Sequence, residues 1–243
     1  MSNDTVSYTS WHRAALENKG GLFAVLSVAA IAVGSIVELG PMMAIAYEPE
    51  DVAGIEPYSP LEVAGRDIYV REGCYVCHSQ WVRPFRSETL RYGEWSRAGE
   101  YVYDRPFQLG SRRIGPDVHR VGGKYNDAWH YEHMKDPRST SPGSVMPPYT
   151  WLHEDSYDPA DVAASVQALH TLGHPYDEAV LADIPAAVRK QADEVVARLA
   201  ESNIKTEPDR EIVALIAFLQ RLGTDGRKTI ANSAAADAAG GAP

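Results

Sequence analysis

Both cysteines of this 243-residue chain stand three apart in the run GCYVCHSQ, Gly73 to Gln80, with His78 directly behind the second. A fold built around two such thiols must pair them with each other, with a metal, or with a porphyrin. A structural zinc takes four protein ligands at recurring spacings, and no second Cys-x-x-Cys exists here, so zinc would need distant histidines. A thioredoxin-like dithiol opens a helix inside a βαβ pattern, and nothing before Cys74 alternates like a strand. Covalent heme needs nothing further. Cys74 and Cys77 on one turn can bond the two vinyl groups on one porphyrin edge, which leaves the His78 imidazole beneath the iron.

The most apolar stretch is GGLFAVLSVAAIAVGSIV, Gly20 to Val37, bounded by Lys19 and Glu38. As a helix it is roughly 27 Å long, close to the hydrocarbon thickness of a bilayer. Apolar text resumes as LGPMMAIAY, so residues 20–46 are assigned to a transmembrane anchor, after an N-terminal segment 1–19 and before an acidic linker, 47–58. The competing reading is a signal peptide cut near Ala44-Ile45-Ala46. The run is too long for an ordinary signal-peptide core and its leader is long and only weakly basic, which favours an uncleaved anchor. Arg13 and Lys19 precede the span and Glu48, Glu50, Asp51 and Glu56 follow it, so the N-terminus is expected in the cytoplasm and the heme motif outside. Glu38 either marks the headgroup boundary, with Pro41 to Tyr47 as a re-entrant or interfacial turn, or meets a hydrogen-bond partner on a neighbouring helix. The net charge of −10 leaves no basic surface for phosphate contacts, so nucleic acid is excluded as a partner.

Beyond the linker the chain reads as mainly α. Ser59 caps a helix with Pro60 at its first position and Glu62 completing a capping box, and Leu61, Ala64, Ile68 and Tyr69 form its buried face. A second amphipathic helix begins near Pro208, with Ile212, Leu215, Ile216 and Leu219 inward and Gly223 past its end. A helix leading into the heme motif and one near the C-terminus, packed across each other, are the framework of class I cytochrome c folds. The heme domain is therefore placed at 59–223, with inserted loops over Tyr92 to Pro116 and a helical insertion at about 158–203. The Gly/Ala-rich tail, 224–243, is expected to be disordered.

An iron held by one histidine needs a second axial ligand to shuttle electrons. Met1, Met42 and Met43 lie before or within the anchor, and Met134 falls on a helix where packing is the ordinary role. Met146 sits in SPGSVMPPYTW, where three prolines and Gly143 pre-set a stiff loop suited to presenting a thioether. His119, His170 and His174 are the bis-histidine alternatives. In IGPD, Ile114 to Asp117, the Pro116 carbonyl suits the other ring nitrogen of His78, since a ligating histidine donates that N–H to a fixed acceptor. Arg83, Arg86, Arg112 and Arg113 are available for heme propionates or a partner, though solvation is the ordinary role of surface arginines.

The ordered pieces RPF, RYG, YDRPF, GPD and MPPY after Cys-x-x-Cys-His, over about residues 59 to 152, together with GSIVELGP in the anchor, closely resemble the monoheme subunit II of cbb3-type cytochrome c oxidases. The resemblance implies an integral electron-transfer subunit of a heme–copper terminal oxidase in the bacterial inner (cytoplasmic) membrane, single-pass, with its heme domain periplasmic. It implies one covalent heme c on Cys74 and Cys77, with His78 and Met146 as iron ligands and Pro116 beside His78. Electrons would come from a diheme cytochrome c subunit or a soluble cytochrome c and pass to the heme b of the catalytic heme–copper subunit. Oxygen would be reduced to water there, and this chain would hold no oxygen-reducing site. Val145 stands where that family's pattern has Asn before the ligand Met. The rival readings are a free membrane-tethered monoheme carrier and the small subunit of a nitric oxide reductase. The Arg/Tyr-rich block from Arg83 to Pro116 speaks against the latter.

Overall fold

The computed structural model describes residue 12 and residues 18–44, 54–110 and 112–228, in two compact units that divide between Glu48 and Pro49. The N-terminal unit contains α1, Gly20–Ala44, of which Gly20–Pro41 is apolar enough to cross a membrane, with mean hydropathy 2.3 and no buried side chain. An apolar helix uncovered on every side suits lipid as its solvent. The helix continues through Pro41, so the stretch read as a turn from Pro41 onward is helical to Ala44. Proline removes one amide donor, for the Val37 carbonyl, but an apolar sequence has no better way to satisfy its remaining backbone groups. Residues 45–53, including the end of the anchor, most of the acidic linker and the proposed cleavage site at Ala46, lie outside the described residues. So do Arg13 and most of the N-terminal segment.

In the second unit the order is α2 (Pro60–Arg71), a 3-10 turn at Cys74–Val76, α3 (Arg86–Tyr92), a 3-10 turn at Ala98–Tyr101, α4 (Asp127–Lys135), α5 (Pro137–Thr140), a 3-10 turn at Thr150–His153, α6 (Pro159–Thr171), α7 (Glu178–Ala182), α8 (Ile184–Glu201) and α9 (Glu211–Arg221). Among the described residues there is no β-strand, only an isolated bridge between Ser156 and Arg210. The start of α2 follows its sequence: the Ser59 amide donates to Glu62 Oε2 at 2.7 Å, ahead of Pro60. α9 begins three residues later than Pro208, at Glu211, whose carboxylate receives Arg71 Nη1 from the end of α2 at 2.7 Å.

α2 and α9 cross at Gly65. A Cβ there would lie 2.0 Å from the Ala214 carbonyl oxygen, so the two backbones touch and only glycine fits. Around the crossing, Leu61, Ala64, Ile68 and Tyr69 of α2 pack with Ile212, Leu215, Ile216, Phe218 and Leu219 of α9. Phe218 also meets the Tyr58 and Tyr69 rings at 5.5 and 5.3 Å, each such pair contributing about 0.5–1.5 kcal/mol beyond burial. The helical segment 158–203 is no separate appendage. Val162 and Val166 of α6, and Val188, Ala192, Val195 and Leu199 of α8, join the same core, as does Met134 of α4.

Order also runs past Gly223, contrary to the expected disorder from Thr224. Residues 224–228 form a further helical turn. Asp225 is buried, pairs with Arg221 and accepts from the Glu56 amide at 3.0 Å, while Arg227 donates to the Gly122 carbonyl. These long-range bonds compensate for the weak helix-forming composition. Residues 229–243 lie outside the described residues.

Candidate cofactor site

The end of α2 delivers Cys74 and Cys77 into a single tight turn, where the amides of Cys77 and His78 both donate to the Cys74 carbonyl, at 3.2 and 2.9 Å. The two sulfurs are not joined in a disulfide. Burial pushes the Cys74 thiol up to about 12, with the negative charge of Glu72 adding to it. At neutral pH the Cys74 sulfur is therefore a thiol rather than a thiolate. Among the described residues no group of three or more His, Cys, Asp or Glu side chains converges to hold a metal ion, and the distant histidines a zinc site would need do not gather around the cysteines.

His78 follows the turn. Its Nδ1 lies 2.9 Å from the Pro116 carbonyl oxygen, and its own backbone carbonyl accepts from Tyr69 Oη at 3.3 Å. With Nδ1–H donated, Nε2 keeps its lone pair for a metal. Burial lowers the His78 pKa, against the opposing pull of the Pro116 carbonyl and Asp117, which keeps the ring in the neutral, ligating form. Gly115 lies hard against this ring: a Cβ there would sit 2.2 Å from His78 Cε1. The segment carrying Pro116 is laced to the one carrying His78 by backbone bonds from Gly115 to Cys77 (3.0 Å) and from Val118 to Ser79 (2.8 Å).

Asp117 adds a set of bonds that the sequence did not single out. Its fully covered carboxylate accepts from Ser79 Oγ at 2.6 Å, the Trp81 amide at 2.8 Å and the His119 amide at 2.9 Å. Arg113 donates from Nε to Ser79 Oγ at 2.8 Å and its Nη2 comes within 3.6 Å of Asp117. The visible signal was an acid directly after Gly-Pro, which more often marks a turn.

Met146 lies in the irregular loop between α5 and the turn at Thr150–His153, its amide donating to Ser144 Oγ at 3.2 Å. It is half-buried against the core that Cys74 and Tyr149 also touch. Of the alternative histidines, His119 is held by Glu100 at 3.1 Å and stacks on Tyr101 at 4.9 Å, while His174 packs on Tyr103 at 5.2 Å and its carbonyl is 3.3 Å from His170 Nδ1. Arg83 and Arg113 converge on Glu88, and Arg86 and Arg112 carry no ion pair among the described residues.

These residues fit a porphyrin. They offer two unlinked thiols on one turn, a neutral imidazole with one nitrogen committed to a fixed acceptor, and a thioether on a Pro-rich loop. Apolar side chains beside them, Tyr75, Val76, Ile114 and Val145, stand exposed, Val145 by 79%. Bare apolar groups flanking each donor are the surface a flat apolar ring covers.

Comparison with known families gives one match. The family model described as cytochrome c oxidase, mono-heme subunit (FixO) matches residues 12–225, a span that takes in α1, the cysteine turn, Pro116 and Met146. No curated protein matches the chain.

Proposed function

The chain belongs to the FixO family, the mono-heme subunit of cytochrome c oxidase, and on that premise we propose that it relays electrons through one heme c to the heme–copper catalytic subunit of a cbb3-type oxidase. Cys74 and Cys77 hold the group through thioethers. His78 Nε2 and the Met146 sulfur would ligate the iron, and the Pro116 carbonyl would fix the imidazole. Bound heme supplies one-electron chemistry, with an iron that takes up and releases an electron. The protein's contribution is to keep the donor set rigid, so that the change of charge demands little rearrangement, and a thioether ligand with burial favours a raised potential.

The observation that carries this reading is the 2.9 Å contact between His78 Nδ1 and the Pro116 carbonyl, which commits one ring nitrogen and leaves the other for iron. The apolar helix α1 supports membrane attachment, and the proposed setting is the bacterial inner membrane with the N-terminus in the cytoplasm and the heme domain in the periplasm. A diheme cytochrome c subunit or a soluble cytochrome c is the donor, and oxygen is reduced in the partner.

The test is oxygen uptake by the complex that co-purifies in mild detergent with a tag placed after Pro243. Cyanide-sensitive uptake from reduced cytochrome c is the expected result. Recovery of the chain alone, with a c-type spectrum and no oxygen chemistry, would replace this proposal with a membrane-tethered carrier.

A further inference from the structure

Taking His78 as the heme ligand, we infer that Asp117 is a positioning residue that aims the Pro116 carbonyl at His78 and thereby tunes the reduction potential of the heme. The Pro116 carbonyl belongs to the peptide linking Pro116 and Asp117. The backbone bonds from Gly115 to Cys77 and from Val118 to Ser79 tether the segment on either side of that peptide, and among the described residues no backbone–backbone bond fixes the tilt of the peptide itself. Tilt alters the direction of the Pro116 carbonyl, and hydrogen bonds weaken steeply as their angle closes. The Asp117 carboxylate removes that freedom. It takes donors from both sides of the site: Ser79 Oγ and the Trp81 amide from the segment that follows His78, and the His119 amide from its own.

The carboxylate is fully covered, and its charge is met by Arg113, which also supplies the hydrogen bond that orients the Ser79 hydroxyl. Glu88, paired with Arg113 and Arg83, faces the same cluster from α3. A buried carboxylate bonded to three donors is a rigid brace, since any tilt strands a donor or the charge itself. A firmly held acceptor at Nδ1–H makes imidazole a more basic ligand, which favours ferric over ferrous iron. Asp117 therefore holds the potential below the value a loose Pro116 carbonyl would allow.

The test is an optical redox titration of the heme in the detergent-purified complex, for wild type, Asp117→Asn and Ser79→Ala. Heme bound per chain and the thioether-to-iron charge-transfer band are measured alongside. Asp117→Asn keeps the shape but presents an amide where donors expect an acceptor; Ser79→Ala removes one donor without changing charge. An upward shift of the midpoint in both variants, with heme content and the thioether band intact, is the expected result. Ser79→Ala alone carries the test if Asp117→Asn does not fold. No shift in either variant overturns the inference, as does a shift confined to Asp117→Asn, which would reduce Asp117 to a nearby charge. Absence of covalent heme on wild-type Cys74 and Cys77 is a separate outcome: it removes the reading on which the inference rests, and the inference with it.

Discussion

At His78 one ring nitrogen is occupied by a carbonyl and one ring edge by a glycine, so both its chemistry and its room are constrained. Gly115→Ala would place a methyl 2.2 Å from the ring carbon, on a segment whose Gly115 amide is already bonded to the Cys77 carbonyl. We predict a displaced imidazole, seen as loss of the thioether charge-transfer band or of covalent heme in the purified variant. A wild-type spectrum would show that the ring yields without consequence. Met146→Ala, by contrast, is expected to retain covalent heme, because Cys74 and Cys77 are untouched, while the midpoint potential falls and oxidase turnover drops. An unchanged midpoint in that variant would remove Met146 from the ligand set. The tight turn carrying Cys74, Cys77 and His78 and the Pro116 acceptor were legible in the sequence because Cys-x-x-Cys-His and Gly-Pro are short patterns that restrict local geometry. Asp117 was not, because no short pattern marks it or its donors Ser79 and Trp81, whereas Pro116, also 38 positions from its partner, stands in a Gly-Pro pair.

Helix α2 was equally legible at its start, where Ser59, Pro60 and Glu62 act within one turn. Its partner was not. The crossing with α9 depends on Gly65 meeting the Ala214 backbone, and a mid-helix glycine read alone suggests only a weak point. Gly65→Ala is predicted to destabilise the domain by about 1–3 kcal/mol or more through overpacking, even though alanine is the better helix former. A lower midpoint in thermal unfolding is the expected result; unchanged or raised stability would mean that the helices separate freely. The turn at 224–228 makes a second case. Truncation after Gly223 would delete Asp225 and Arg227, leaving the Glu56 amide and the Gly122 carbonyl without these partners. A loss of about 1–3 kcal/mol is expected in denaturant unfolding, whereas removal of a disordered tail would cost nothing.

Across the whole second unit, buried charge makes stability depend on acidity. Burial raises the Glu100 pKa, but hydrogen bonds and charge from His119 and Arg120 outweigh it and bring the carboxyl down to about 2. The unfolded value is near 4.3. Because the folded value is the lower one, Glu100 contributes its stabilisation above the unfolded pKa and loses it as pH falls from about 4.3 towards 2. Thermal midpoints recorded from pH 6 downward, in steps of about one pH unit, are expected to fall more steeply for wild type than for Glu100→Gln over that window. Parallel slopes would place the acid sensitivity elsewhere.

By itself the sequence determined the apolar N-terminal helix, the mainly helical class, the thiol pair with its histidine, and the Met146 loop. Each of these rests on residues close together in the chain, where spacing, hydropathy and proline content already restrict conformation. Tertiary structure alone decided that α6 and α8 share the core of α2 and α9, that residues 224–228 form a helical turn, and that Asp117 bonds the segment following His78. These outcomes turn on close approaches and paired charges between distant segments, which exist only once the chain has packed.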